Sequence, residues 1–263
     1  MSQTILTAVR QNQPIVLNVA NSVTPQLVAN AIAYIGASPI MLEDPLDAAD
    51  LTKIANAVTL NLGSTSENSQ KVMINSGKTA NELGLPVVFD PVAVGATPLR
   101  SKRAKELLES VKVSIVRGNL GEVATLAEVE WESHGIDAGS GTADPVEIVQ
   151  KAAQKLGAVV VATGVQDLVS DGQTVYQIDN SANQLATNVG MGDALDGLLG
   201  AFASQSMDLA DLAYATAALP VAGELAVAEG VAGPADFLNK MLDQLGNLTD
   251  EKLQGQIHLH QVK

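Results

Sequence analysis

Ala57-Val58-Thr59-Leu60-Asn61-Leu62 and Pro86-Val87-Val88-Phe89-Asp90-Pro91 are two short, almost continuously apolar runs, and Ser66–Leu83 between them carries a helical pattern. A strand without polar alternation must be covered on both faces, and two such strands joined by a helix lie parallel. The same alternation extends outward over most of the chain. Further strands are expected at Ser38–Leu42, Val113–Arg117 and Ala158–Thr163, with a hairpin of Leu168–Ser170 and Val175–Ile178 turning at Asp171-Gly172. Helices are expected at Thr24–Ile35, Asp47–Asn56, Ser101–Glu109, Leu120–Glu128, Pro145–Leu156, Asp193–Ser204, Leu209–Glu229 and Ala235–Leu245. The fold class is therefore α/β, a mostly parallel sheet with helices on both faces. No linker or shift of composition divides the chain, so residues 1–263 read as a single domain, with about 246–263 as a C-terminal tail. Gly135–Gly141 reads as a loop.

Composition narrows the function. Hydrophobic residues make up 46% of the chain but aromatics only 3%, so the core is Val, Ile, Leu and Ala, which suits tight packing of helices on a sheet. The formal net charge of −14 excludes nucleic acid and an anionic membrane surface as partners, because both need a cationic face. It does not exclude ATP, whose phosphates a divalent cation and backbone amides neutralise locally. The absence of cysteine removes disulfides, thiolate nucleophiles and cysteine-ligated zinc, and fits a cytoplasmic protein. No signal peptide is expected in the first twenty residues. The longest apolar stretch, Leu212–Gly223, is too short for a bilayer and contains Pro220, so a buried, kinked helix is expected there.

Ligands of an open parallel sheet bind outside the carboxyl ends of its strands. Those positions hold Met41, then Asn61 and Gly63, Asp90-Pro91, Arg117-Gly118-Asn119 and Thr163-Gly164. They bring an acid (Asp90), a cation (Arg117), a second acid (Glu122) and a hydroxyl (Thr163) to one edge. A second feature is Gly190-Met191-Gly192-Asp193, a turn running into an apolar helix of small residues. The unpaired amides of such a helix start, with the helix dipole, form an anion seat. A carboxylate beside it repels the anion, so Asp193 reads as a base for a hydroxyl; the alternative is an N-cap. Asp196 either assists it or faces solvent.

Two phosphate motifs fail. After Gly190 and Gly192 the next glycine is Gly197, which breaks the dinucleotide fingerprint, and Gly77-Lys78-Thr79 has Val72 where a Walker A loop needs glycine. His258 and His260 lack a third metal ligand and read as part of an exposed tail, while Trp131 reads as a packing residue.

Asn21, Ala29-Asn30, Gly36-Ala37-Ser38-Pro39-Ile40-Met41, Leu60-Asn61-Leu62-Gly63, Asp90-Pro91-Val92 with Gly95-Ala96-Thr97, Arg117-Gly118-Asn119 with Glu122, Val161-Ala162-Thr163-Gly164 and the Gly190–Asp193 turn follow one another in an order that resembles the hydroxyethylthiazole kinases. That thiamine-pathway family belongs to the ribokinase-like superfamily, and the resemblance spans about residues 8–245. It implies a ribokinase-like fold and ATP-dependent phosphorylation of a thiazole alcohol. It also implies Mg²⁺ held by Asp90 and Glu122, directly or through water. Arg117 and Thr163 match ATP-contacting positions, and Met41 and Gly190 match positions lining the alcohol. Gly190, Met191 and Gly192 match the anion hole, and Asp193 would accept the alcohol proton. Asn21 and Val23 match a stretch that reaches a neighbouring subunit's site, in a homotrimer with shared active sites.

The chain departs from the family at several positions. Asp193 stands where Cys is usual, although the wider superfamily has Gly-x-Gly-Asp. Leu17 and Ala20 replace the common His and Thr, Ala93-Val94 replaces Gly-Ala, and Val165 replaces Glu. Leu17, Ala20 and Ser22 fall in the stretch implied to face the thiazole, so they bear on the identity of the alcohol. Pro14–Asn30 shows no partner strand nearby in sequence and is expected to bury against a second subunit. Three alternatives remain: another small-alcohol kinase of the superfamily, a nucleotide-hydrate dehydratase, or a non-catalytic binding paralogue. Joint retention of Asp90, Arg117, Glu122 and Asp193 argues against the last, since a mere binder needs no base.

Overall fold

A computed structural model describes residues 4–129, 132–134, 137–140 and 143–263. Its first half runs α1 (Ile5–Asn12), β1 (Ile15–Val19), α2 (Pro25–Tyr34), β2 (Ser38–Met41), α3 (Ala48–Lys53), β3 (Ala57–Asn61), α4 (Glu67–Leu83), β4 (Val87–Asp90), α5 (Pro98–Ser110), β5 (Ile115–Asn119) and α6 (Leu120–Ala127). There follow β6 (Glu132–His134), β7 (Asp137–Ser140), α7 (Pro145–Leu156), β8 (Val159–Thr163), β9 (Asp167–Ser170) and β10 (Val175–Ile178). The chain closes with a 3₁₀ turn (Asn183–Thr187), α8 (Met191–Ala203), α9 (Leu209–Thr216), α10 (Ala218–Ala228), α11 (Pro234–Asn247), α12 (Asp250–Gln256) and β11 (Leu259–Gln261).

The main sheet has the order β2-β1-β3-β4-β5-β8-β9-β10-β11. From β2 to β8 every pairing is parallel, and β9, β10 and β11 extend the sheet antiparallel. Side chains alternate between two cores, as the strand period requires. Val16, Val88, Ile115 and Val161 pack with Ile32 of α2 and with Ala194, Leu198 and Phe202 of α8. Leu17, Phe89, Val116 and Val160 pack on the other face with Val72 of α4, Leu107 of α5, Val123 of α6 and Ile148 of α7. This is the α/β architecture expected, with the hairpin formed by β9 and β10. The Walker-like Gly77-Lys78-Thr79 lies inside α4, as its pattern indicated.

Several expectations change. Pro14–Asn30 does have partners within the chain: β1 lies between β2 and β3, which arrive later in sequence. Leu17 is consequently fully buried on the face opposite α8 and lines no rim. The long helix expected over Leu209–Glu229 is two, α9 ending at Thr216 and α10 starting at Ala218. Pro220 explains the break, since its ring crowds the carbonyl four residues back, on Thr216.

The segment expected as a tail is ordered into α12 and β11, and β11 pairs with β10, placing His260 opposite Gln177. A paired β11 covers what is otherwise an open sheet edge. His258 and His260 are exposed there. Asp250 of α12 reaches back to the other end of the chain, where its carboxylate accepts hydrogen bonds from Leu6 N (3.0 Å), Thr7 N (2.9 Å) and Thr7 Oγ1 (2.6 Å). It thus satisfies the first-turn amides of α1 in place of a local cap. Within the expected Gly135–Gly141 loop, residues 137–140 pair with 132–134 as β7 and β6. Gly135, Ile136, Gly141 and Trp131 lie outside the described residues.

Candidate active site

The parallel pairing puts the polar strand ends side by side. Asn61 of β3 stands in register with Asp90 of β4, and its Nδ2 donates to Asp90 Oδ2 at 2.8 Å. Arg117 of β5 bonds the same Asp90 oxygen through Nη2. Its Nε and Nη2 also bond both oxygens of Asp196 on α8, at 2.7 and 2.9 Å. Relative exposures of 1% for Asp90, 6% for Arg117 and 3% for Asp196 make this a buried ionic triad. Asp196 therefore does not face solvent.

Burial pushes the Asp90 carboxyl well above the usual carboxylate range, against the pull of the Arg117 guanidinium, and the Asp196 and Glu122 carboxylates push it further. Burial likewise raises Asp196, again opposed by Arg117. Burial works against the Arg117 charge, but Asp196 and Asp90 outweigh it and keep the guanidinium firmly protonated. The guanidinium lies directly under the anion turn: a Cβ on Gly192 would come within 2.5 Å of Arg117 Nη1. Arg117, expected at the nucleotide, is here held by acids beneath Gly192.

The turn itself is dictated by Gly190. Its φ of +94° is left-handed, and a Cβ there would fall 2.4 Å from Thr24 Cγ2. Gly190 is the N-cap of α8 and no side chain caps the helix, so the amides at Met191, Gly192 and Asp193 keep the character of an anion seat. Asp193 is the third residue of α8, which removes the N-cap alternative.

The Asp193 carboxylate is instead held by side chains. Its Oδ2 accepts from Asn21 Nδ2 (2.8 Å) and Thr24 Oγ1 (2.5 Å), and its Oδ1 accepts from Asn61 Nδ2 (3.0 Å). A carboxylate offers about four acceptor positions. These bonds fill both on Oδ2 and one on Oδ1, leaving one open on Oδ1. Asn21 is thus built into its own chain's site. Thr24 gave no sequence signal. Asn61 was legible as a strand end, and its register with Asp90 was the clue to its role.

Glu122 closes a capping box with Asn119 at the start of α6. Its Oε1 accepts from Ala93 N (2.7 Å) and its Oε2 from Asn119 N (2.8 Å). Burial raises this carboxyl and those amides oppose the rise. Ala93 adopts a left-handed φ of +56°, which costs a residue other than glycine about 1–2 kcal/mol and accounts for the family's preference for Gly there.

Among the described residues, Asp90 Oδ1 is buried without a hydrogen-bond partner. Carboxylate oxygens of Asp90, Asp193 and Asp196 lie within 4.8 Å of one another. Glu122 is not in that group.

Thr163, at the end of β8, lines a cavity of about 330 Å³ with Leu120, Pro145, Val146, Gln166 and Leu168. Gly164 N donates to Asp167 Oδ1 at 3.0 Å, and burial raises the Asp167 carboxyl to about 7 against that bond. Val165 is exposed beside this cavity. Met41 is half-buried at the end of β2. Ala20 lines a narrow crevice with Asn21, Thr24, Asn61 and Asp193, whereas Val23 is 68% and Val189 77% exposed. A larger cavity of about 710 Å³ lies between α5, α6 and α7, and none of Asp90, Arg117, Thr163 and Asp193 lines it.

Residues 6–251 match the model of the hydroxyethylthiazole kinase family. A hydroxyethylthiazole kinase of Pediococcus pentosaceus is 42% identical over 249 residues, covering 94% of each chain. One from Lactiplantibacillus plantarum is 41% identical over 257 residues, covering 97% of this chain and 98% of the other. The solved structure of a hydroxyethylthiazole kinase protein from Pyrococcus horikoshii superposes with a TM-score of 0.89 at 28% identity and 98% coverage of both chains. The ADP complex of Bacillus subtilis pyridoxal kinase shares the fold at a TM-score of 0.57 and 20% identity, covering 79% of this chain and 92% of the other.

Proposed function

This chain belongs to the hydroxyethylthiazole kinase family, and from that premise we propose that it transfers the γ-phosphate of ATP to the primary alcohol of 4-methyl-5-(2-hydroxyethyl)thiazole in the thiamine pathway. The observation that carries the reading is Asp193: a carboxylate beside an uncapped helix start, with one acceptor position open on Oδ1. The alcohol oxygen forms its bond to the γ-phosphorus while the bond to the bridging β-phosphate oxygen breaks, and the hydroxyl proton passes to Asp193 Oδ1. Charge on the equatorial oxygens meets the amides of Met191, Gly192 and Asp193. The cavity at Thr163 is the reading for the nucleotide, with apolar walls suited to a base. Ala20, Asn21, Met41, Val23 and Gly190 are the reading for the alcohol.

A Mg²⁺ ion fits this edge, because Asp90 Oδ1 is a buried acceptor without a donor and the surrounding acids outnumber the Arg117 cation. Asp90 would hold it, with Glu122 acting through water since both its oxygens already accept amides. When bound, the ion offsets charge on the β- and γ-phosphates. Arg117 keeps that acid in place through Nε and Nη2, and its Nη1, the nitrogen nearest Gly192, takes part in neither ion pair.

The test is a transfer assay with ATP, Mg²⁺ and the thiazole alcohol. ADP and thiazole phosphate are expected in equal amounts; ADP release independent of the alcohol, by folded protein that binds nucleotide, overturns the reading.

We also propose a homotrimer working in the cytoplasm, with Val23 and Val189, two exposed apolar side chains near the site, covered by a neighbour. No helix among the described residues is long and apolar enough to cross a membrane. Light scattering at assay concentration is expected to give three times the chain mass of 27.2 kDa. An active monomer rules out shared sites.

A further inference from the structure

We propose that Asn61 is the positioning residue that fixes the reacting oxygen of Asp193 relative to the acid at Asp90. The proposal rests on the reading of Asp193 as the base. Asn61 is buried at the last position of β3. Its Nδ2 donates at once to Asp193 Oδ1 (3.0 Å) and to Asp90 Oδ2 (2.8 Å), so both amide hydrogens are used on carboxylates. Its Oδ1 accepts from Gly63 N (2.9 Å) and Asn21 Nδ2 (3.3 Å). This set fixes which way the amide points: turned over, it would aim its carbonyl oxygen at two carboxylates and its NH₂ at a backbone N–H. Gly63 makes the arrangement possible, because a Cβ there would sit 2.8 Å from Asn61 Oδ1.

The consequence falls on one atom. Asn21 and Thr24 anchor Oδ2, the oxygen that takes no proton in this scheme, and Asn61 alone bonds Oδ1. Without Asn61 the carboxylate keeps its anchor but can turn about it, and the open acceptor position on Oδ1 no longer has a fixed direction. Proton transfer depends steeply on such alignment, whereas binding of the alcohol and of ATP does not require it. The register of β3 with β4 further ties the distance between Asn61 and Asp90 to the strand spacing itself.

The test is a double-mutant cycle of Asn61→Ala and Asp193→Asn, with kcat and both KM values measured on protein whose folding is checked by circular dichroism and thermal melting. Asn61→Ala is expected to lower kcat about 10- to 100-fold with both KM values within about twofold. Added to Asp193→Asn, it should lower kcat less than about threefold further, because the oxygen it aligns no longer takes a proton. A merely structural role gives a lower melting point and losses that multiply in the double variant. If Asn61→Ala does not fold, Asn61→Ser, which keeps a polar group too short to span both acids, takes its place in the cycle. A kcat within about twofold of wild type in the Asn61 variant, or full multiplication in the double, overturns the positioning role while a large Asp193→Asn effect leaves the base standing. A near-normal kcat in Asp193→Asn removes the base, and this inference with it.

Discussion

Asp193→Asn lowers kcat by about 10²–10⁴-fold while nucleotide affinity stays within about twofold. The substitution conserves size and removes only the capacity to take a proton. Because Gly190 and not Asp193 caps α8, the loss is not that of a helix cap. The introduced amide has a defined place to settle. With its NH₂ on the Oδ2 side it would face the donors of both Asn21 and Thr24; on the Oδ1 side it faces only Asn61. It therefore puts its NH₂ where the alcohol proton should go, which blocks transfer and makes one poor contact with Asn61. That contact costs about 1–3 kcal/mol of stability, small beside the kinetic effect. Steady-state kinetics with an ATP titration decides the matter: kcat near wild type returns Asp193 to a structural role.

Arg117→Met destabilises the protein by about 3–5 kcal/mol and abolishes measurable transfer. The guanidinium is the shared partner of Asp90 and Asp196, so its removal leaves two buried carboxylates facing each other. Methionine fills the volume without the charge, which confines the effect to electrostatics. The penalty depends on pH with a definite sign. Both acids already lie above their ordinary range in the folded protein, and losing the cation lifts them further. An acid raised on folding takes up a proton as the chain folds, so its contribution to stability is lost as pH rises through the folded value. The deficit against wild type should thus shrink from about pH 8 to about pH 5.5. Adding Asp90→Asn and Asp196→Asn to Arg117→Met should recover most of the lost stability, though not activity. Urea denaturation at the two pH values tests this. A deficit under about 1 kcal/mol, or one that grows toward acid, contradicts a buried triad.

Much of the site was legible because a parallel sheet gathers its strand ends. Asp90, Arg117 and Asn61 end successive short apolar runs, and such ends meet at one edge whatever the details of the loops. The anion turn was legible for a similar reason: Gly190 and Gly192 before a run of small apolar residues describe a helix start that other side chains can approach closely. Family resemblance added the roles, and it was least reliable where a neighbouring side chain decides the contact. Leu17, in the stretch implied to face the thiazole, points into the core under α4.

The sequence alone determined what depends on neighbours along the chain: the alternation of strand and helix, the β9–β10 hairpin and the Gly190 turn. The tertiary structure decided what depends on partners far apart in sequence. β1 is a central strand only because β2 and β3 close on both its edges, and strand pairing satisfies backbone groups that the local pattern cannot assign. Asn21, Thr24 and Asn61 become the socket of Asp193, and Asp196 the partner of Arg117, because packing α8 across β1, β3 and β4 buries these polar groups together. A buried carboxylate must find donors within about 3 Å, whichever residues the fold has brought there, and no periodicity in the sequence records which those are.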